Sequence, residues 1–191
     1  MRKYYSDKKI VCFGEVLWDM LPNGNKIGGA PLNVTYHLHK LGIDAALASR
    51  IGVDTLGNGI RDFIIKNCSS GSLLQMDTVH PTSTVKAEIQ PNHEVTYNII
   101  EEVAWDFIEY DHLLNELITK ADYLVYGSLI TRNKISRTAL YKVLESKLTK
   151  VLDVNLRKPF YSKEILRYLL MKANIVKMNE AELQLISEWF D

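Results

Sequence analysis

The sequence carries no surplus of charge: 23 Lys and Arg stand against 23 Asp and Glu, for a formal net charge of zero. A nucleic-acid or anionic-membrane surface as main partner calls for a basic excess, so neither is expected. No apolar run approaches the roughly 18 residues of a membrane span. Residues 1–9 are polar, and the apolar run that follows, 10–13, is too short for a secretory signal core. Cysteine is scarce. Cys12 and Cys68 show neither a CxxC pair nor metal-ligand spacing, which fits a reducing, cytoplasmic setting. Proline occurs five times, with no low-complexity linker and no internal repeat, so the chain reads as one domain. Glycine is missing from the last 64 residues, since all ten lie between Gly14 and Gly127. Close backbone approach to a ligand and tight positive-φ turns are thereby confined to the first two thirds, and the last third has no glycine loop to cradle a phosphate.

What is present is an ordinary globular composition, 47% hydrophobic and 24% charged, in a chain of 191 residues. That length buries roughly 70% of its unfolded surface and folds without disulfides or metal. Short apolar runs at 123–126, 151–154 and 175–178 recur about every 25 residues. Helical patterns lie between them: Ser136 is placed to cap one helix with Ala139, Leu140, Val143 and Leu144 on one face, and Ser162 another with Ile165, Leu166, Leu169 and Leu170. Near-continuous apolar strands alternating with amphipathic helices predict an α/β fold with a parallel sheet covered on both faces. Earlier, residues 10–13 read as a core strand and 31–41 as a helix ended by Gly42, and Asp54 can cap a second helix carrying Ile60, Phe63 and Ile64. Two β-rich stretches, 84–89 and 94–99, flank Pro91-Asn92-His93 and read as a hairpin inserted as a lid.

Several residues suit chemistry. Gly28 and Gly29 precede a helix whose first turn holds Asn33. Without Cβ atoms they let a ligand touch backbone, and the Asn33 amide suits a sugar hydroxyl, although the same spacing serves a plain tight turn. Asp19 lies just past the first strand, where open α/β sheets place ligands; it equally suits a surface loop. Strand alternation would point Asp153, Asn155 and Arg157 to one side, with Arg157 able to hold a phosphate or carboxylate, or simply an ion pair. Asn179 and Glu182 open the last helix in a pattern that also makes a capping box. Gly24 to Gly29 has P-loop glycine spacing, but Ala30-Pro31 replaces the Lys-Ser/Thr pair. His37 and His39 are two apart on a helix and share no face. Gly57-Asn58-Gly59 lacks the rest of a dinucleotide fingerprint, and Trp18, Trp105 and Trp189 read as core.

Taken in order, Gly14-Glu15-Val16-Leu17-Trp18-Asp19, Gly28-Gly29-Ala30-Pro31-Leu32-Asn33-Val34, Ser49-Arg50-Ile51-Gly52-Val53-Asp54, Val103-Ala104-Trp105-Asp106, Tyr126-Gly127-Ser128-Leu129, Asp153-Val154-Asn155-Leu156-Arg157 and Asn179-Glu180-Ala181-Glu182 resemble the PfkB/ribokinase family of sugar kinases, fructokinase-like branch. The resemblance covers essentially the whole chain. It implies a ribokinase-like, doubly wound, mostly parallel sheet with a small β lid, and ATP-dependent phosphorylation of a sugar hydroxyl with Mg²⁺. By the same resemblance Asp19, Gly28, Gly29 and Asn33 match sugar-binding positions, and Arg157 one near the sugar and the transferred phosphate. Asn179 and Glu182 match the element that organises phosphate and Mg²⁺, usually through water, with no direct metal ligand. The family's Gly-Ala-Gly-Asp-like element, which carries the catalytic base, has no counterpart here. The expectation is therefore the N-terminal two thirds of such a kinase, an incomplete domain over 1–191 with its base beyond Asp191, inactive alone. The alternative is a non-catalytic sugar-binding or oligomerising remnant. A small-molecule sugar is the expected partner, with self-association possible through the lid or an exposed sheet edge.

Overall fold

A computed structural model describes residues 7–21, 24–68, 72–89 and 95–190. Its frame is a six-stranded parallel sheet of β1 (Lys9–Phe13), β4 (Asp44–Gly52), β5 (Leu73–Asp77), β8 (Tyr123–Gly127), β9 (Thr149–Asp153) and β10 (Ile175–Lys177), in the order β10-β9-β8-β1-β4-β5. The chain starts in the middle and winds out both ways, so β1 lies at the switch point between β8 and β4. Period-2 alternation divides the core. Val11 and Phe13 of β1 and Leu124 and Tyr126 of β8 face one cluster, while Cys12 of β1 and Leu47 and Ile51 of β4 face the other. Helices α1 (Ala30–Lys40) and α2 (Thr55–Asn67) cover the second face. Helices α3 (His112–Thr119), α4 (Lys134–Leu144) and α5 (Lys163–Lys172) cover the first. This is the doubly wound arrangement that the alternation predicts. No described helix is long and apolar enough to cross a membrane.

A second sheet, β3-β2-β6-β7, is built from β2 (Leu17–Met20), β3 (Lys26–Gly28), β6 (Thr84–Ile89) and β7 (Val95–Ile99). The β6–β7 pair is the expected antiparallel hairpin; its turn, Pro91-Asn92-His93, lies outside the described residues. The small sheet stands at the C-terminal ends of the parallel strands because β1 runs into β2 through residues 14–16. Asp54 anchors its base: the carboxylate accepts from Gly57 N (2.7 Å), capping α2 as expected, and from Thr82 N (2.8 Å), just before β6. Trp18 donates from Nε1 to Leu56 O (2.9 Å), holding β2 against α2.

Some local expectations need correction. Asn133, not Ser136, caps α4, accepting from Ile135 N (2.9 Å). Ser136 lies inside the helix, fully buried, donating to Trp105 O (2.7 Å) and accepting from Ile108 N (2.8 Å). A buried hydroxyl that satisfies a neighbouring 3₁₀ turn (Ala104–Phe107) outweighs its local capping tendency. The last helix, α6 (Glu180–Phe190), leans on the first-face core through Ile186 and Trp189, both half-buried, while Leu183 is 52% exposed. Strand β10, one edge of the sheet, leaves Ile175 50% exposed.

Candidate sugar-binding site

A cavity of about 380 Å³ opens where the C-terminal ends of β1 and β9 meet the small sheet. Glu15, Asp19, Gly29, Asn33, Asp153, Asn155 and Arg157 supply its polar wall, and Val85 of β6 and Ile99 of β7 also line it. Its position is the switch-point crevice at the carboxyl ends of parallel strands, where such sheets bind ligands. A more apolar hollow of about 330 Å³, lined by Lys9, Ile10, Asp44, Ser72 and Leu113 among others, sits at the opposite ends of the strands.

Each wall residue has a local reason for its place. Asp19 is carried on β2, and a Cβ built on Gly28 would fall against its Oδ2. Glycine at 28 therefore leaves room for the Asp19 carboxylate and does not itself line the cavity. Burial raises the Asp19 carboxyl above its ordinary range. Gly29 adopts φ +110°, and a Cβ there would come within 2.5 Å of Glu15 O, so the turn into α1 closes onto the strand end that carries Glu15. Pro31 sits in the first turn of α1, as expected, and Asn33 follows on an exposed rim.

The last strand contributes differently from the expectation. β9 stops at Asp153, and Asn155 takes a left-handed φ of +39°, so strand alternation does not extend to Arg157. All three residues still line the cavity, the left-handed Asn155 redirecting the chain only after Asp153. Asp153 pairs with Lys177 Nζ (2.9 Å) rather than with Arg157. Arg157 is exposed, and its side chain makes no hydrogen bond with the described residues, leaving its guanidinium available to an anion.

Asn179 and Glu182 stand apart from this wall. Asn179 Oδ1 accepts from Glu182 N (2.8 Å) and Glu182 Oε2 accepts from Asn179 N (2.9 Å), a reciprocal capping box. Glu182 Oε1 also accepts from Leu156 N (2.8 Å), tying α6 to the loop that carries Asn155 and Arg157. Both oxygens of this buried carboxylate are engaged, and no group of three or more His, Cys, Asp or Glu among the described residues is placed to hold a metal. The described residues form no direct Mg²⁺ site.

One wall residue, Glu15, stood out in the sequence only as part of a longer string. The usable signal was a lone charge between the first strand and Val16-Leu17.

The sequence pattern of the pfkB family carbohydrate kinases matches residues 6–189. The chain belongs to this family. It is 29% identical to probable fructokinase-3 of Arabidopsis thaliana, over 94% of this chain and 58% of that protein. Its fold superimposes on the fructokinase of Xylella fastidiosa with bound ATP at a TM-score of 0.87 and 18% identity, covering 95% and 61% of the two chains. Against the fructokinase of Vibrio cholerae O395 in its fructose, ADP and calcium ion bound form the TM-score is 0.77 and the identity 22%, covering 96% and 64%. At these identities the structural likeness shows the fold alone. The chain spans about 60% of the length of the curated relatives it matches. Membership accounts for the doubly wound, mostly parallel sheet.

Proposed function

We propose that these 191 residues form the sugar-binding part of a fructokinase-type enzyme, which moves the γ-phosphoryl group of ATP to a ketohexose hydroxyl and yields a sugar phosphate, ADP and a proton. The observation that carries this reading is the convergence of Asp19, Asn33, the Gly29 turn and Arg157 on one cavity roofed by lid residues Val85 and Ile99. A carboxylate accepts two hydroxyl hydrogen bonds, an amide both donates and accepts, and an exposed guanidinium suits the phosphoryl end. Uncharged hydroxyl-rich ligands need such a set; a nucleobase or peptide site would need stacking or strand-edge contacts instead. ATP and Mg²⁺ belong to the proposed whole-enzyme reaction.

A narrower role for the 191 residues alone also has support. Glu182 is occupied by its cap and by Leu156, and no glycine loop follows Gly127 to supply backbone donors to a transferring phosphoryl group. On this reading the isolated chain binds sugar without phosphorylating it. Calorimetric titration with fructose tests the site. Wild type should bind weakly, and Asp19→Ala should lose more than tenfold in affinity, about 1.5–3 kcal/mol for a charged acceptor. Equal binding by both would remove Asp19 from the site.

A further inference from the structure

Glu15 is a buried acid that the proposed sugar contacts leave without a task. It lies between β1 and β2, 3% exposed, and its side chain lines the cavity. Oε1 accepts from Ala30 N (3.2 Å), the first residue of α1. Oε2 is shielded from solvent and makes no hydrogen bond with the described residues. Its own carbonyl oxygen is the atom against which Gly29 is packed. One residue thus grips both members of the Gly29–Ala30 turn, by main chain and by side chain.

The surroundings disfavour a charge there. Of the elements around the cavity, β2 contributes Asp19, β9 contributes Asp153 and the loop after it Arg157; α1 contributes Asn33, and β6 and β7 contribute, among the described residues, Val85 and Ile99. Two carboxyls already line the cavity, Asp153 held by Lys177 of β10, and a third carboxylate would hold a dry oxygen with no partner. Burial pushes the Glu15 carboxyl up to about 7, with the Glu15 and Ala30 amides and Arg157 pulling it partly back against the push from Asp153.

We propose that Glu15 is a positioning residue that works as the neutral acid, holding the Gly29–Ala30 turn in its sugar-binding form and loosening it on ionisation, so that sugar binding is linked to one proton. An ionised Glu15 must bring water or Arg157 to Oε2, and either move opens the packing under Gly29. The inference rests on the sugar-site reading above.

Fructose titrations from pH 5.5 to 9 in buffers of different ionisation enthalpy test it. Wild-type affinity should be level at low pH and fall about tenfold for each pH unit above 7, with proton uptake approaching one per sugar at pH 8. Glu15→Gln keeps an oxygen for the Ala30 amide and cannot ionise, so its affinity should not change across the range and its uptake should vanish. A flat wild-type profile, or the same slope in Glu15→Gln, overturns the proposal. Carboxyl ¹³C NMR of sugar-free wild type gives a separate answer: a Glu15 midpoint near 7 supports the neutral acid, and an ordinary midpoint near 4.5 overturns it. Failure of fructose to bind at any pH, with that midpoint near 7, would count against the sugar reading and leave the neutral acid standing.

Discussion

Replacing Asp106 by asparagine should break a buried polar lock between the 3₁₀ turn that follows β7 and the segment that follows β8. Arg132 donates from Nε to Asp106 Oδ1 (2.7 Å) and from Nη2 to Oδ2 (2.7 Å), with the side chains 3% and 1% exposed. Nη2 also donates to Ile100 O (2.6 Å), the residue after β7, and the guanidinium lies 3.9 Å over Trp105 and 4.8 Å over Phe160. Asp106 additionally accepts from Val103 N (3.2 Å). The neutral amide leaves a buried guanidinium uncompensated, which costs about 3–5 kcal/mol, a large share of the roughly 5–15 kcal/mol that a domain has. Because Nη1 is already buried without a partner, no spare acceptor waits to take over. In urea, with a slope of about 2–3 kcal/mol per M, the midpoint should fall by about 1–2 M. Arg132→Met should cost a similar amount, and the double variant clearly less than the sum, because removing both charges removes the desolvation problem. Additive losses, or a midpoint shift below about 0.3 M for Asp106→Asn, would refute a stabilising role for this buried ion pair.

Three further outcomes can be checked. Gly29→Ala must place a Cβ within 2.5 Å of Glu15 O at φ +110°, and should lower the thermal midpoint through a loss of about 3 kcal/mol or more; an unchanged melt would mean that the turn relaxes freely. Glu182→Ala leaves the Leu156 and Asn179 amides without their acceptor and should cost about 2–4 kcal/mol in chemical denaturation; a loss below about 1 kcal/mol would deny its role as a structural tie. Glu15 is raised from 4.5 to about 7, so its share of stability is complete below pH 4.5, declines as pH rises through 7 and then levels. The wild type should therefore lose about 3 kcal/mol relative to Glu15→Gln across that window, and parallel pH–stability curves would contradict this.

The parallel sheet was legible because strands buried on both faces must be apolar throughout, and 123–126, 151–154 and 175–178 each gave β8, β9 and β10 to within two residues. Caps with a local partner were legible too, at Asp54 and Ser162. Ser136 was not, because its partners, Trp105 O and Ile108 N, are some 30 residues away in sequence. Strands β2, β4 and β5 and helix α3 are not marked by the sequence: Leu17–Met20 and Leu73–Asp77 are short and mostly half-buried, so neither alternation nor a continuous apolar run shows them. Asp44–Gly52, though buried, is rich in Ala and carries Ser and Arg, with Ile51 its one β-branched residue. At the candidate site, Asp19, Gly29, Asn33 and Arg157 line one cavity, whereas Gly28 supports Asp19 and the Asn179–Glu182 pair braces a loop. That division depends on the left-handed turn at Asn155 and on which backbone amides end up dry, neither of which local sequence encodes.

The central claim is that the cavity between the lid and the strand ends is where a sugar sits. Crystals of the protein grown with saturating fructose test it most directly. The account predicts a single ordered ketohexose beneath Val85 and Ile99, with hydroxyl oxygens within hydrogen-bond distance of the Asp19 carboxylate and the Asn33 amide. Fructose ordered instead in the hollow beside Lys9, Asp44 and Leu113, or density in neither place, would contradict it.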